Sequence, residues 1–316
     1  NILMITSVFG KSRPFNYVLI STLLVLSFFI YVIQSTGDAS NTPFTFVKGF
    51  QKAATLILLV VSLFIINFIT KRNGLSKDNS FSALFFVSFL LFIPSSFDNF
   101  KIILSSFFIL LAMRRLISMK SLLTPKEKIF DASLWIFIAA LFHFWSILFI
   151  FIVFVSIIFH VSGDYRNWVL PFIAFFSVAI LFLFFSLLID KEWLAIVWNQ
   201  TGTDFEFYYL EKSASTVALV LYALFSVVFL ISMIFTMSRR PIIMLASYKK
   251  IIIIFLISVL IYIISPEKSN SLLLFGLMPI SILATNFIEI NKDAGLKEII
   301  TASILLCGIL LFIFQL

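Results

Sequence analysis

A chain of 316 residues that is 61% hydrophobic and only 12% charged cannot be a soluble domain, in which about a quarter of residues carry charge. Lipid must cover that much apolar surface, and nine Gly and eight Pro are too few for long linkers or disorder. The net charge of +8 does not point to nucleic acid, because the basic residues are scattered through short segments at membrane edges, where positive charge sets orientation. The 42 phenylalanines read as lipid-facing bulk and helix packing. Cys307 stands alone in an apolar run and there are two histidines, so neither a disulfide framework nor a zinc site is expected.

A membrane span needs roughly 20 apolar residues. The first block, 16–35, follows Lys11 and Arg13. It is too long for a signal-peptide core and no small-residue cleavage site follows, so it is expected to be retained. Further blocks lie at 51–70, 80–96, 100–118, 131–143, 144–161, 168–189, 214–237, 250–265, 270–288 and 298–316.

The first connecting loop carries Gly37-Asp38. An acid there suits a general base or a ligand for a divalent cation beside a lipid phosphate; an ordinary solvated loop residue is the plainer reading. The turn Pro94-Ser95-Ser96-Phe97-Asp98-Asn99-Phe100-Lys101 ends one block and opens the next. Asp98 either caps the following helix or stands with Lys101 at the mouth of a cavity. Arg114, Arg115, Lys126 and Lys128 read as anchors against anionic headgroups, since no Gly-rich phosphate loop accompanies them.

The stretch from Phe130 to His160 has neither Gly nor Pro. As one helix it would run about 46 Å, against a hydrocarbon core of about 30 Å. The alternative is two short helices turning near His143, and charge decides between them. With the N-terminus inside and a hairpin at 131–161, 17 of the 23 basic residues fall on inner segments, as the positive-inside rule requires. With a single span, the 7-to-3 inner excess downstream of it becomes 3-to-7. The expectation is therefore an all-α polytopic bundle of about eleven spans, one integral membrane domain over 1–316, N-terminus inside and C-terminus outside.

The segment 190–213 is then an outer interfacial loop of acids and aromatics, among them Glu206, Trp193 and Trp198, with Glu192 to Asn199 suited to a short helix lying on the membrane. His143, followed by Trp145 and Ser146, can be an acid–base group or can pin the hairpin turn; His160 reads as interfacial. In Pro266-Glu267-Lys268-Ser269-Asn270, Lys268 can meet a phosphate as a point charge or form a local ion pair.

Three of these features have a familiar order: Gly37-Asp38 after the first span, Leu141-Phe142-His143-Phe144-Trp145-Ser146 one short span after a basic inner segment, and the run EKSNSLLLFGLMPISIL over 267–283. The layout resembles the polytopic glycan enzymes that use polyprenyl-linked sugars, the GT-C-type glycosyltransferases and EpsG-like polysaccharide polymerases. The chain as a whole resembles an uncharacterised Bacteroidota family of Phe- and Ile-rich membrane proteins. The glycan-enzyme resemblance implies a GT-C-like bundle acting at the outer face of the inner membrane. It implies Asp38, His143 and Asp98 as catalytic groups, and Lys101, Glu206, Lys268 and Asn270 as substrate contacts. No cofactor is implied beyond a divalent cation if Asp38 is catalytic. The sequence departs from the pattern: the first-loop acid is single, the late basic residue is Lys268 rather than Arg, and Asn99 and Lys101 replace a basic residue with Gln. Two other classes stand beside the enzyme: a non-catalytic subunit of a multi-protein membrane complex, and a transporter. The scarcity of polar residues inside the blocks disfavours the transporter.

Overall fold

A computed structural model of the chain describes residues 5–38, 46–190, 192–206, 213–266 and 268–316. Among the described residues there are α-helices and short 3-10 turns and no strands. The helices are α1 (Ile5–Phe9), α2 (Pro14–Asp38), α3 (Phe46–Arg72), α4 (Phe81–Leu90), α5 (Phe100–Ile117), α6 (Pro125–Phe142), α7 (Ile150–His160), α8 (Tyr165–Leu188), α9 (Glu192–Asn199), α10 (Ser213–Thr236), α11 (Ile242–Ile264), α12 (Leu274–Ile290) and α13 (Ala294–Gln315). Eight stretches, built on α2, α3, α5, α8 and α10 to α13, are long and apolar enough to cross a membrane. The protein is a helical, multi-span membrane bundle.

Local chemistry explains the helix starts and the tolerance of polar residues. Asp164 caps α8 by accepting from Arg166 N at 3.0 Å, Asp293 caps α13 through Gly295 N at 2.9 Å, and Pro125 opens α6 where its missing N–H costs nothing. Inside the helices Ser and Thr hydroxyls return to carbonyls four residues back, as in Thr70 to Ile66, Ser133 to Ile129 and Thr285 to Ser281. That keeps them satisfied where no water is available.

The centre of the bundle is α4 and α12. All ten residues of α4 are buried, as is 94% of the most apolar window of α12. Around them pack α3, α10, α11 and α13. Small residues permit the closest approaches: a Cβ on Gly308 of α13 would lie 2.7 Å from the Ser88 carbonyl oxygen of α4. At the periphery α8 packs on α6, and much of its surface, including Phe172, Phe176, Ile180 and Leu187, is exposed.

Polar contacts define two ends. At the lysine-rich end Glu298 accepts from Ile5 N and Thr6, Asp78 pairs with Lys71 at 3.0 Å, and Glu289 accepts from Asn79 at 2.6 Å. There also Arg240 donates to Asn286 at 2.7 Å, and Lys120 bonds the Asn73 carbonyl. At the opposite end, which carries α9, Asn99 donates to Ser271 at 2.7 Å, Asn270 to the Ser215 carbonyl at 2.9 Å, and Gln315 to the Phe92 carbonyl at 3.1 Å. Eight stretches are long enough to run from one end to the other; α4, α6 and α7 are shorter or fall outside that set.

Two stretches qualify the expected blocks. The 130–160 stretch breaks at His143, whose φ of −144° and ψ of 104° are extended. A 3-10 turn over Phe144–Phe149 follows, and then α7. Lys126 at the start of α6 pairs with Asp164, just beyond α7, at 3.0 Å, so the two helices start and finish at the same end. The expected span 80–96 is α-helical only to Leu90; the chain then runs buried to the 3-10 turn Pro94–Asp98. A helix this short is tolerated because protein, not lipid, surrounds its end.

Candidate functional site

At the α9 end the chain leaves an open cleft of about 330 Å³. Its walls are Asn99, Lys101 and Ile102 at the start of α5, Phe142 and His143 at the hairpin tip, Ile196, Asn199 and Gln200 at the end of α9, and Pro266 after α11. The segment after α9 is strapped across the hairpin tip. Gln200 Oε1 accepts from Phe144 N at 3.3 Å, and Trp145 Nε1 donates to the Gly202 carbonyl at 3.0 Å. Asp204 N donates to the Ile264 carbonyl at 3.3 Å, and Lys268 Nζ donates to the Asp204 carbonyl. The cleft therefore has one wall made by loop backbone fastened to two helix ends.

His143 is anchored by a hydrogen bond. Its Nε2 lies 3.1 Å from Ser265 Oγ, and Ser265 gives its own proton to the Ile261 carbonyl at 2.8 Å. The imidazole packs against buried Phe275, with ring centroids 5.5 Å apart. This fastening ties the hairpin tip to the end of α11.

The electrostatics of the cleft are one-sided. Lys101 is exposed and makes no ion pair or hydrogen bond with any described residue. The described lining holds no carboxylate. The first N–H groups of α5, and the positive end of its dipole, lie beside Lys101. Such a site favours an anion, and the amides of Asn199 and Gln200 add groups suited to hydroxyls.

Of the residues singled out in the sequence, His143 and Lys101 come together in this cleft. Asp98 lies apart: its carboxylate accepts from Tyr31 Oη at 2.5 Å and pairs with Lys52. It does not cap α5, whose N-cap is Asn99, without a side-chain cap bond. Lys268 and Asn270 tie α9's trailing segment and α10 to the start of α12. Glu206 is exposed, its N–H bonded to Asp204 Oδ1 at 2.8 Å. Asp38 ends α2, and its side chain lies outside the described residues, as do Glu267 and residues 207–212. Among the described residues no three His, Cys, Asp or Glu side chains gather as a metal site.

The residues that sequence reasoning passed over are Asn199, Gln200 and Ser265. The first two were legible as the polar end of the Glu192-to-Asn199 segment. Ser265 carried no signal, because a serine before proline reads as the end of a helix. Comparisons with protein-family models, with curated proteins and with solved structures found no match to this chain.

Proposed function

We propose that the protein crosses the inner membrane eleven times, with its N-terminus inside, and that the α9-end cleft faces outward and receives the phosphate-bearing head of a polyprenyl-linked glycan. The observation that carries this reading is the cleft itself: Lys101 without a partner among the described residues, His143 anchored to Ser265, and the amides of Asn199 and Gln200, with no described carboxylate to repel an anion. Orientation is supported by the lysine-rich character of the other end, and the crossing number by eight helices long and apolar enough to span, taken with the shorter α4 and the α6–α7 hairpin. A binding role outranks glycosyl transfer, because Asp98 is engaged by Lys52 and Tyr31. If transfer occurs, the imidazole of His143 is the base within the described lining.

The test is retention of lipid-linked glycan by protein purified into nanodiscs from native membranes, read by native mass spectrometry. Charge-assisted phosphate contacts contribute about 1.5–3 kcal/mol, so Lys101→Gln lowers retention relative to bulk phospholipid by about tenfold or more. Equal retention by the wild type and a Lys101→Gln, His143→Ala double variant refutes the reading. A reporter fused after Leu316 reads the outer face; an inner signal means an even number of crossings.

A further inference from the structure

We infer that the groove between α6 and α8 holds the aliphatic chain of an outer-leaflet lipid whose phosphate head sits in the α9-end cleft, so that α9 closes over the junction of one head-and-tail site. The inference rests on the cleft reading above and adds to it where the tail goes.

The groove, about 320 Å³, descends along α6 and α8 and is capped by Trp193 of α9. The cleft and the groove take neighbouring residues from the same two helices. On α9, Trp193 faces the groove and Ile196, one turn on, faces the cleft. On α6, Leu141 faces the groove while Phe142 and His143 face the cleft. A molecule occupying both would have to pass α9 at the last turn of α6, between Leu141 and Phe142.

The dimensions select a single chain from one leaflet. Along α8 the groove walls run from Ser177 to Ile189, about 18 Å at 1.5 Å per residue. That is little more than half of a hydrocarbon core about 30 Å thick. A helix 10–12 Å across does not fit. The chemistry agrees: the one polar side chain in the walls, Ser177, returns its hydroxyl to the Ile173 carbonyl at 2.8 Å, so the groove offers an incoming polar group nothing. A larger apolar groove of about 550 Å³ lies between α10 and α11, but it takes no residue from α6 or α9.

The experiment uses the full chain in nanodiscs and hexadecyl phosphate carrying a diazirine midway along its chain. Photolabel is expected on peptides 134–141 and 177–189. It should be competed by hexadecyl phosphate and reduced about tenfold, the weight of one lost charged contact, both in Lys101→Gln and with the neutral hexadecanol analogue. Equal labelling by the neutral analogue means bulk lipid fills the groove and overturns the inference, as does label confined to α10 and α11. Ser177→Trp should abolish the label; the label position in the wild-type protein decides the matter even if that variant does not fold. Protection of Lys101 from amine acetylation by inorganic pyrophosphate tests the cleft alone. Protection without groove label leaves the cleft reading standing and removes this one, whereas groove label with Lys101 indifferent to phosphate removes both.

Discussion

Gly276 provides the sharpest test of the packing at the bundle centre. A Cβ added there would lie 2.5 Å from Tyr222 Oη and 3.1 Å from Ser258 Oγ. Tyr222 is 4% exposed, and its hydroxyl has no hydrogen-bond partner. Two effects oppose each other in Gly276→Ala. Forcing a methyl into a packed core costs about 1–3 kcal/mol, while replacing Gly by Ala inside a helix gains about 0.8–1 kcal/mol. The single substitution therefore destabilises by about 1 kcal/mol. Tyr222→Phe removes the oxygen that the methyl meets. It also removes a buried unsatisfied hydroxyl that costs about 1–3 kcal/mol, so alone it stabilises. With the oxygen gone, the former Cζ contact at 3.7 Å is ordinary and only Ser258 Oγ at 3.1 Å stays tight, so Gly276→Ala becomes less destabilising. The double-mutant cycle should show a coupling of about 1–2 kcal/mol, within the range for residues in contact. Thermal unfolding in detergent reads it, at roughly 2–4 °C per kcal/mol for a chain of this order of size. If Gly276→Ala has the same effect with and without the tyrosine hydroxyl, α10 does not approach α12 as described.

Other outcomes follow from single contacts. Gly308→Ala meets the Ser88 backbone carbonyl at 2.7 Å, which cannot rotate away as a side chain can, so it should destabilise by about 1–3 kcal/mol; an unchanged melting temperature refutes the α4–α13 contact. Asp98→Asn removes the pair with Lys52, but with side chains 27% and 48% exposed the loss should be under about 1 kcal/mol and shrink further in high salt; a larger, salt-insensitive loss contradicts that. Asp164 is held below the usual carboxylate range by its hydrogen bond from Lys126 and by Arg166 N. A depressed folded-state value means the unfolded chain binds more protons, so this stabilisation is present above pH about 4 and is lost as pH falls through the folded value. The melting difference between wild type and Asp164→Asn should therefore shrink from pH 5 to pH 3, and growth of that difference refutes the assignment.

How far the fold was legible depends on what the sequence has to distinguish. Span against loop is a difference of polarity, so the apolar blocks map onto helices. The charge count split 130–160 near His143, where the chain does turn, because a single span would invert the 7-to-3 basic bias of the segments that follow. Centre against periphery was not legible, because lipid and core accept the same side chains. Phe85, Phe89 and Phe92 are buried, while Phe172, Phe176 and Phe184 are exposed, and nothing in their type separates them. The usable signal was the small and polar residues of the central helices, such as Ser82, Ser88, Ser281, Thr285 and Asn286, all buried. For the site, residue type led to His143 and Lys101 but could not foresee that Asp98 turns toward Lys52 and Tyr31. Which of two nearby partners a carboxylate meets is fixed by helix packing, not by its place in the chain.

The burial of α4 also constrains how the protein is made. At ten residues it is about 15 Å long, half the thickness of the hydrocarbon core. Its exposed backbone ends would be costly in lipid alone. It therefore cannot enter the bilayer as an independent unit when it leaves the ribosome. It has to be carried in between α3 and α5 and sheltered until α12 and α13, made some 200 residues later, arrive to enclose it. Chain integration and tertiary folding are thus one process for this protein, and truncation before α12 should leave a product that is targeted correctly but degraded.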